Sequence, residues 1–299
     1  MAFSPTIEYS IVWKPMPGPQ SWLITCPVFE TLFGGARGGG KTDGVLGEWI
    51  SHAEEYGPEA IGLCIRRERT QLIEMIERSK QLYRPLGATF QEIDKIWRFP
   101  NGARLRFAYL ESDSDAQSYQ GHSYTRIYVE EMGTFPNPDP IFKLFATLGR
   151  NPKVPSRFIA TANPGGPGHS WIKKRYIDPA PNGLELIPDV FEDPFTHEKV
   201  TKNRVFIPSK VTDNVYTNTL DYIGNLHMSG NAELVKAWLH GDWDVMLGSF
   251  FPEWDKNSHI IRAFKPPKHW KRFMSMDWGS ASPFSIGWWC IVPDEYDEG

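Results

Sequence analysis

The chain has 299 residues, of which 40% are hydrophobic and 23% are charged, and its formal net charge at pH 7 is -4. This composition is ordinary for a globular protein of one or two domains, and it excludes a protein that is basic over its whole surface. The three cysteines form no C-x-x-C pair, which argues against a disulfide framework or a zinc site. The longest apolar run, residues 284–292, is too short to span a bilayer, so we expect a cytoplasmic protein without a membrane segment.

The N-terminal segment, residues 1–27, contains four prolines and is predicted to be extended as far as the first strand. Gln20 follows the last of these prolines. Its carboxamide offers a donor and an acceptor side by side, so it could read the edge of an adenine base. The alternative is an amide in a solvated loop.

A glycine-rich segment follows the first predicted strand and fits the pattern G-x-x-x-x-G-K-[ST], with a helical pattern after it. Glycines let backbone N–H groups turn inward around a polyphosphate, and the helix that follows adds its positive end. We expect Lys41 to lie against the β- and γ-phosphates and Thr42 to hold Mg²⁺. A flexible loop with a chance lysine is the alternative. The expected nucleotide-binding residues are Gln20, Gly35, Ala36, Arg37, Gly38, Gly39, Gly40, Lys41 and Thr42.

Strands and helices alternate after this loop. Residues 60–65 form an apolar run typical of a buried parallel strand, and residues 69–84 have the spacing of an amphipathic helix. This order predicts an α/β fold. Residues 95–110 alternate around Asn101-Gly102, which predicts a β-hairpin at the edge of the sheet.

A predicted strand at residues 126–131 ends in two acids, Glu130 and Glu131. In P-loop NTPases such a strand ends beside the phosphate loop, and its acid, usually Asp, belongs to the Mg²⁺ shell. We therefore expect Glu130 to hold the metal with Thr42, and Glu131 to act as the base that orients the attacking water. A strand that ends in ordinary surface acids is the alternative.

Another predicted strand, at residues 156–162, leads into Asn163 and a Pro-Gly turn. In a parallel sheet this strand end lies on the same edge as the phosphate loop. Thr161 and Asn163 could therefore touch the attacking water or the γ-phosphate; an Asn-Pro turn without such a role is the alternative. Further along, we expect a strand at 203–209, two short helices within 219–240, a turn-rich segment, and two strands at 272–279 and 284–292.

Several short motifs occur in order along the sequence. They are Gln20 after its prolines, the glycine-rich loop with Arg37, Tyr119-Gln120-Gly121 before Val129-Glu130-Glu131, Ala160-Thr161-Ala162-Asn163-Pro164, Gly241-Asp242-Trp243-Asp244 and Met276-Asp277-Trp278-Gly279. Over nearly the whole chain they resemble the large terminase subunit of tailed bacteriophages. The resemblance implies an ATPase that pumps double-stranded DNA into a procapsid, joined to a nuclease that cuts the concatemer.

The resemblance also implies the domain organisation. We expect an α/β P-loop NTPase with a mostly parallel central sheet flanked by helices, followed by the first strands of an RNase H-like nuclease domain. The expected bounds are 1–240 for the ATPase domain, 241–270 for a linker and 271–299 for the start of an incomplete nuclease. The expected partners are double-stranded DNA, the small terminase subunit, the portal protein and further copies in a homo-oligomeric ring, in the host cytoplasm.

The resemblance assigns roles to individual residues as well. Gln20 would contact adenine, and Thr161, Ala162 and Asn163 would couple hydrolysis to motion. The expected catalytic residues are Lys41, Glu131 and Arg37, and the expected metal ligands are Thr42 and Glu130 for Mg²⁺ bound with ATP and Asp277 for the nuclease. A complete nuclease would use Mg²⁺ or Mn²⁺ held by several carboxylates, so we expect no endonuclease activity from this chain alone.

The sequence departs from the family pattern at two positions. Glu130 stands where the family more often has Asp, and Gln120 stands where relatives can carry an arginine that acts on a neighbouring subunit. The candidates for that arginine are Arg37, Arg66, Arg67, Arg126 and Arg150. Two other functions stay open: another P-loop translocase or helicase, and a nucleotide-gated assembly module with little turnover.

Overall fold

The structure is a computed structural model that describes residues 11–111, 113–217, 219–228, 232–244, 259–279 and 284–293. The chain forms two compact units, Met1–Gly248 and Ser249–Gly299. In the described residues, no helix has the length and apolar character needed to cross a bilayer.

The first unit is built on one nine-stranded sheet with helices on both faces. Its strands are β1 (Glu30–Gly35), β2 (Ile61–Arg66), β3 (Thr89–Gln91), β4 (Ile96–Arg98), β5 (Arg104–Tyr109), β6 (Arg126–Val129), β7 (Arg157–Ala162), β8 (Ile187–Glu192) and β9 (Lys199–Ser209). Its helices are α1 (Pro19–Thr25), α2 (Lys41–Tyr56), α3 (Leu72–Tyr83), α4 (Asp113–Ser118), α5 (Asp139–Lys143), α6 (His169–Ile172), α7 (Thr219–His227) and α8 (Ala232–His240).

The strand order is β3-β4-β5-β2-β6-β7-β1-β9-β8. The six central strands, from β5 to β9, pair in parallel, and antiparallel pairs occur at the two edges. This arrangement confirms the predicted α/β fold with a mostly parallel central sheet. The hairpin predicted around Asn101-Gly102 is also present, as β4 and β5 at one edge.

The core lies on both faces of the sheet. One cluster packs the sheet against α2 and α3 and includes Trp49, Tyr83 and Trp97, and the other includes Phe158 and Tyr176. Successive residues of the central strands alternate between these clusters, as side chains do along a strand. The central strands are therefore buried on both sides, which is why they appear in the sequence as short apolar runs.

A buried ionic network joins α2 to strands β6 and β7 of the central sheet. Glu48 on α2 accepts hydrogen bonds from Arg126 at 3.0 Å, from Arg157 at 3.2 Å and from the Tyr128 hydroxyl. Burial alone would raise the pKa of Glu48, but the two arginines and Tyr128 outweigh that effect and hold the pKa below its ordinary value. The network fixes the strand carrying the two acids against the helix of the phosphate loop.

The structure differs from the sequence prediction at several elements. Strands β3 and β8 were not predicted, because each lies at an edge and shows mostly exposed residues. Residues 241–244, predicted to start the linker, belong to the first compact unit. Trp243 is buried and stacks on His169, with ring centroids 5.4 Å apart, so this segment packs as part of the core.

The second unit contains a two-stranded antiparallel sheet, β10 (Arg272–Asp277) and β11 (Ser285–Cys290). Asp277 is the last residue of β10, lies opposite Ser285 and is exposed. The acids at 294–298 fall outside the described residues. The two predicted strands are therefore present, while the nuclease role of Asp277 stays a prediction.

Candidate functional site

The glycine-rich loop that is predicted to bind phosphate connects β1 to α2, and its conformation depends on its glycines. Gly35, Gly38 and Gly40 have positive φ angles of 126°, 76° and 74°, which disfavour residues with a side chain. A Cβ atom at Gly35 would lie 2.3 Å from the Ser209 carbonyl oxygen, and one at Gly39 would lie 2.8 Å from the Ser209 hydroxyl. The loop therefore packs closely against the end of β9.

Lys41 is the first residue of α2 and reaches back into the loop. Its ammonium group donates a hydrogen bond to the Ala36 carbonyl. Burial lowers the pKa of Lys41 to about 8, against the opposing effect of the negative charges of Glu130 and Glu131. A phosphate would restore the favourable charge environment that burial removes.

Glu130 directly follows β6 and is almost completely buried, with 2% of its surface exposed. One carboxylate oxygen accepts a hydrogen bond from the Thr42 hydroxyl, and the other accepts one from Arg66 Nε at 2.5 Å. Burial raises the pKa of Glu130, while Arg66 and Thr42 act in the opposite direction. A hydroxyl beside a carboxylate is a donor set that suits Mg²⁺ bound with a nucleotide, whose remaining ligands come from phosphate and water.

Glu131 has a different environment from its neighbour. Its backbone is left-handed, with φ 53° and ψ 46°, and 40% of its side chain is exposed. Its N–H donates to the Thr161 hydroxyl at 3.0 Å, and its carbonyl accepts from the Thr134 N–H at 2.9 Å. Non-glycine residues in this conformation cost of order 1–3 kcal/mol and often occur at functional sites.

A cavity of about 1030 Å³ opens over this edge of the sheet. Among the residues predicted from the sequence, its lining includes Gln20, Arg37, Gly38, Gly39, Gly40, Lys41, Thr42, Glu130, Glu131, Thr161 and Asn163. Gly35, Ala36 and Ala162 lie next to these positions in the chain, at the ends of β1 and β7. Asn163 Oδ1 is buried and has no hydrogen-bond partner in the described part of the chain.

Gln20 lies at the cavity, but its carboxamide is bound to backbone. Its Oε1 accepts from the Met16 N–H at 2.8 Å, and its Nε2 donates to the Gly40 carbonyl at 2.7 Å. In this structure Gln20 therefore supports the phosphate loop from the side of α1. The contact with adenine stays a prediction.

The five arginines that are candidates for acting on a neighbouring subunit have different surroundings. Arg37 stacks on Trp238 of α8, 3.9 Å from the ring centroid, and Arg67 donates to the Thr134 carbonyl at 2.8 Å. Arg66 and Arg126 are buried in ion pairs with Glu130 and Glu48, so neither can reach a neighbouring subunit. Arg150 is exposed and donates to the Gln120 carbonyl at 3.2 Å.

Several residues of this site were not predicted from the sequence. Trp13, Tyr216 and Tyr222 line the cavity, as do Asp43 and Arg78, whose side chains form two hydrogen bonds with each other. Asp43 directly follows Thr42, whereas the other four come from segments far apart in the chain that no local pattern marks. Arg66 was named from the sequence as a candidate arginine, but its contact with the two acids was not predicted, because that contact depends on the pairing of β2 with β6.

Known proteins resemble this chain in sequence pattern and in fold. The family model for the N-terminal part of the terminase large subunit, T4likevirus-type, matches residues 32–223. No curated protein matches the chain.

Three solved structures show the same fold. The large terminase of a thermophilic bacteriophage in complex with ADP is 16% identical, with a TM-score of 0.60, and the match covers 93% of this chain and 65% of that one. The complex of the same phage terminase with ATP-γ-S is 17% identical, with a TM-score of 0.56 and coverage of 93% and 65%. The large terminase ATPase domain of Thermus phage P74-26 is 11% identical, with a TM-score of 0.52 and coverage of 78% and 95%. The chain thus spans less than two thirds of the length of the terminase solved with ADP and ATP-γ-S, and it belongs to the terminase large subunit family.

Proposed function

We propose that the first unit hydrolyses ATP and uses the energy to move double-stranded DNA into a viral procapsid. The observation that carries this proposal is the convergence of Lys41, Thr42, Glu130 and Glu131 in one cavity at the carboxyl edge of a mostly parallel sheet. Membership of the terminase family supports it, and so do the ADP and ATP-γ-S complexes of the large terminase from the thermophilic bacteriophage.

In this proposal each side chain has a defined task. Lys41 and the loop N–H groups hold the β- and γ-phosphates. Thr42 and Glu130 would hold Mg²⁺, which neutralises charge on the phosphate oxygens when it is bound. Glu131 orients a water molecule and accepts its proton as the water oxygen attacks the γ-phosphorus, and the bond to the β-phosphate oxygen breaks to give ADP and phosphate.

Coupling to motion would begin at the end of β7. The Thr161 hydroxyl holds the backbone of Glu131, and the Asn163 side-chain oxygen is buried beside the cavity. Loss of the γ-phosphate would change the surroundings of both residues. Thr161, Ala162 and Asn163 are thus proposed to transmit hydrolysis to the rest of the sheet.

We assign the arginine that acts on a neighbouring subunit to Arg150. It is exposed, and its guanidinium lies on the backbone of Gln120. Arg37 lines the cavity and stacks on Trp238, and it remains the proposed catalytic arginine within the same subunit. Undiminished turnover by Arg150→Ala in assembled rings would contradict the assignment to Arg150.

The remaining proposals concern the whole motor. They are a homo-oligomeric ring on the portal protein, delivery of DNA by the small terminase subunit, a location in the host cytoplasm, and a nuclease that uses Asp277 with Mg²⁺ or Mn²⁺. Two-metal hydrolysis needs several converging carboxylates, and Asp277 at the end of β10 supplies one of them. We therefore propose that this chain alone does not cut DNA.

Separate substitution of the two acids tests the proposal. Glu131→Gln should bind ATP as well as the parent protein and hydrolyse it about 10²–10⁴-fold more slowly, because the base is lost. Glu130→Gln should instead weaken Mg²⁺-dependent binding. The measurements are binding of a fluorescent ATP analogue across a Mg²⁺ titration and steady-state phosphate release, with the exposed Glu74→Gln as control. Reversed phenotypes would show that Glu130 is the base and Glu131 the metal ligand. Parent-like behaviour of both variants would contradict the assignment of this site.

A further inference from the structure

Arg66 is the last residue of β2, the strand that pairs in parallel with β6. The pairing sets Ile65 opposite Val129, and the Glu130 N–H donates to the Ile65 carbonyl at 2.8 Å. The register of the two strands therefore brings Arg66 beside the acids that follow β6. Only 7% of Arg66 is exposed, so its guanidinium is largely removed from water.

The guanidinium contacts both acids, but unequally. Nε donates to Glu130 Oε2 at 2.5 Å, Nη2 pairs with the same oxygen, and Nη1 lies 3.4 Å from Glu131 Oε2. The other oxygen of Glu130 is taken by the Thr42 hydroxyl. The Glu130 carboxylate is thus held from both sides, while the partly exposed Glu131 carboxylate has one longer contact.

Arg66 is not among the residues that line the cavity. It therefore acts on the phosphate site through the two acids. A lysine could not replace it without loss, because a single ammonium group lacks the rigid fork of donors that lets a guanidinium engage two carboxylates at once.

We propose that Arg66 is a positioning residue, which fixes the Glu130 carboxylate toward Thr42 and restrains the Glu131 carboxylate so that the two adjacent acids keep separate tasks. This inference rests on the proposed ATPase function. It predicts two effects of changing Arg66: weaker Mg²⁺-dependent nucleotide binding through Glu130, and slower hydrolysis through Glu131.

A purely structural ion pair is the competing explanation. Removing one partner of a buried pair leaves the other charge uncompensated and can prevent folding, so loss of activity alone would not decide between the two. The conservative Arg66→Lys variant keeps the positive charge. Arg98→Lys, on β4, is the matched control, because the Arg98 guanidinium is exposed and donates to Gln91 at 3.0 Å.

The first test measures the Mg²⁺ concentration at which a fluorescent ATP analogue is half-bound, together with the melting temperature. Arg66→Lys should melt close to the parent protein and need about 10–100-fold more Mg²⁺, the usual effect of losing a group that orients a metal ligand. Arg98→Lys should match the parent. An unchanged Mg²⁺ requirement in a folded Arg66→Lys variant would overturn the proposal.

The second test is a double-mutant cycle on phosphate release. If Arg66 acts through Glu131, the Glu131→Gln substitution should reduce turnover much less in the Arg66→Lys background than in the parent protein. Independent effects that simply multiply would overturn this part of the proposal. If the parent protein is active and the Arg66→Lys variant behaves like it, this inference is wrong while the proposed function stands. If the parent protein neither binds nor hydrolyses ATP, the proposed function is wrong as well.

If the Arg66→Lys variant does not fold, a second pair of variants tests whether Arg66 positions the two acids. Glu130→Gln removes the buried negative charge, and Arg66→Gln/Glu130→Gln then removes the positive charge without leaving an unpaired ion. At saturating Mg²⁺, the double variant should hydrolyse ATP at least about tenfold more slowly than Glu130→Gln, because Glu131 has also lost its restraint. Equal rates would overturn the proposal.

Discussion

At the scale of single residues, Glu130 and Glu131 are adjacent in the chain but have different surroundings. Glu130 ends in a buried cluster with Thr42 and Arg66, whereas Glu131 turns into the left-handed region and exposes its carboxylate. The pattern of a strand ending in two acids predicted both positions. It could not predict Arg66 as their partner, because that contact depends on the register between two strands.

Thr161 offers a test of how the backbone at Glu131 is held. Replacing Thr161 with Val keeps the shape and removes the hydroxyl that accepts the Glu131 N–H at 3.0 Å. An N–H left without a partner should lower the free energy of unfolding by roughly 1–3 kcal/mol, and a displaced Glu131 should slow hydrolysis. Chemical denaturation and phosphate release measure the two effects. Thr161→Ser keeps the hydroxyl and should resemble the parent; equal behaviour of Val and Ser would show that this hydrogen bond is dispensable.

At the scale of elements, the buried parallel strands were predictable and the edges were not. Strands β1, β2, β6 and β7 are apolar because both of their faces are covered, so each is visible as a short hydrophobic run. Strand β8 exposes Val190 and Phe191 and shows no such pattern. The cavity wall formed by Trp13, Tyr216 and Tyr222 was missed for a related reason, because it is assembled from loops and a helix by tertiary packing.

The contact between α2 and the start of β6 predicts a specific pH dependence. His52 on α2 is buried and contacts the Thr125 hydroxyl at 2.8 Å, and burial lowers its pKa from 6.5 to about 3. Between pH 6.5 and about pH 3, the folded state thus binds fewer protons than the unfolded state. The stability that comes from a neutral His52 is complete above pH 6.5 and is lost as the pH falls toward 3, by about 1.4 kcal/mol per pH unit.

Urea denaturation at pH 7.5, 6.0 and 5.0 measures this effect by comparing the parent protein with His52→Gln. The parent should lose stability on acidification more steeply than the variant, because glutamine does not titrate. Carboxylates elsewhere titrate in both proteins, so the difference between the two slopes isolates His52. Parallel slopes would contradict the lowered pKa.

At the scale of the whole molecule, the first unit is a terminase-type P-loop fold, and the chain spans 65% of the length of the large terminase that was solved with ADP. The proposed arginine in trans makes turnover a property of the assembly. A dilute preparation should therefore hydrolyse ATP slowly and speed up as subunits associate, because an arginine delivered by a neighbour contributes about 10³–10⁵-fold in related phosphoryl-transfer enzymes.

We propose that the loop between β1 and α2 holds the phosphates of ATP for hydrolysis. The most direct measurement is phosphate release at saturating ATP and Mg²⁺ by the assembled parent protein and by Lys41→Ala, with the exposed Lys153→Ala as control. We predict that Lys41→Ala abolishes turnover, because the loop loses the positive side chain placed on the β- and γ-phosphates, and that Lys153→Ala keeps the parent rate. Near-normal turnover by a folded Lys41→Ala protein would contradict the assignment of this site.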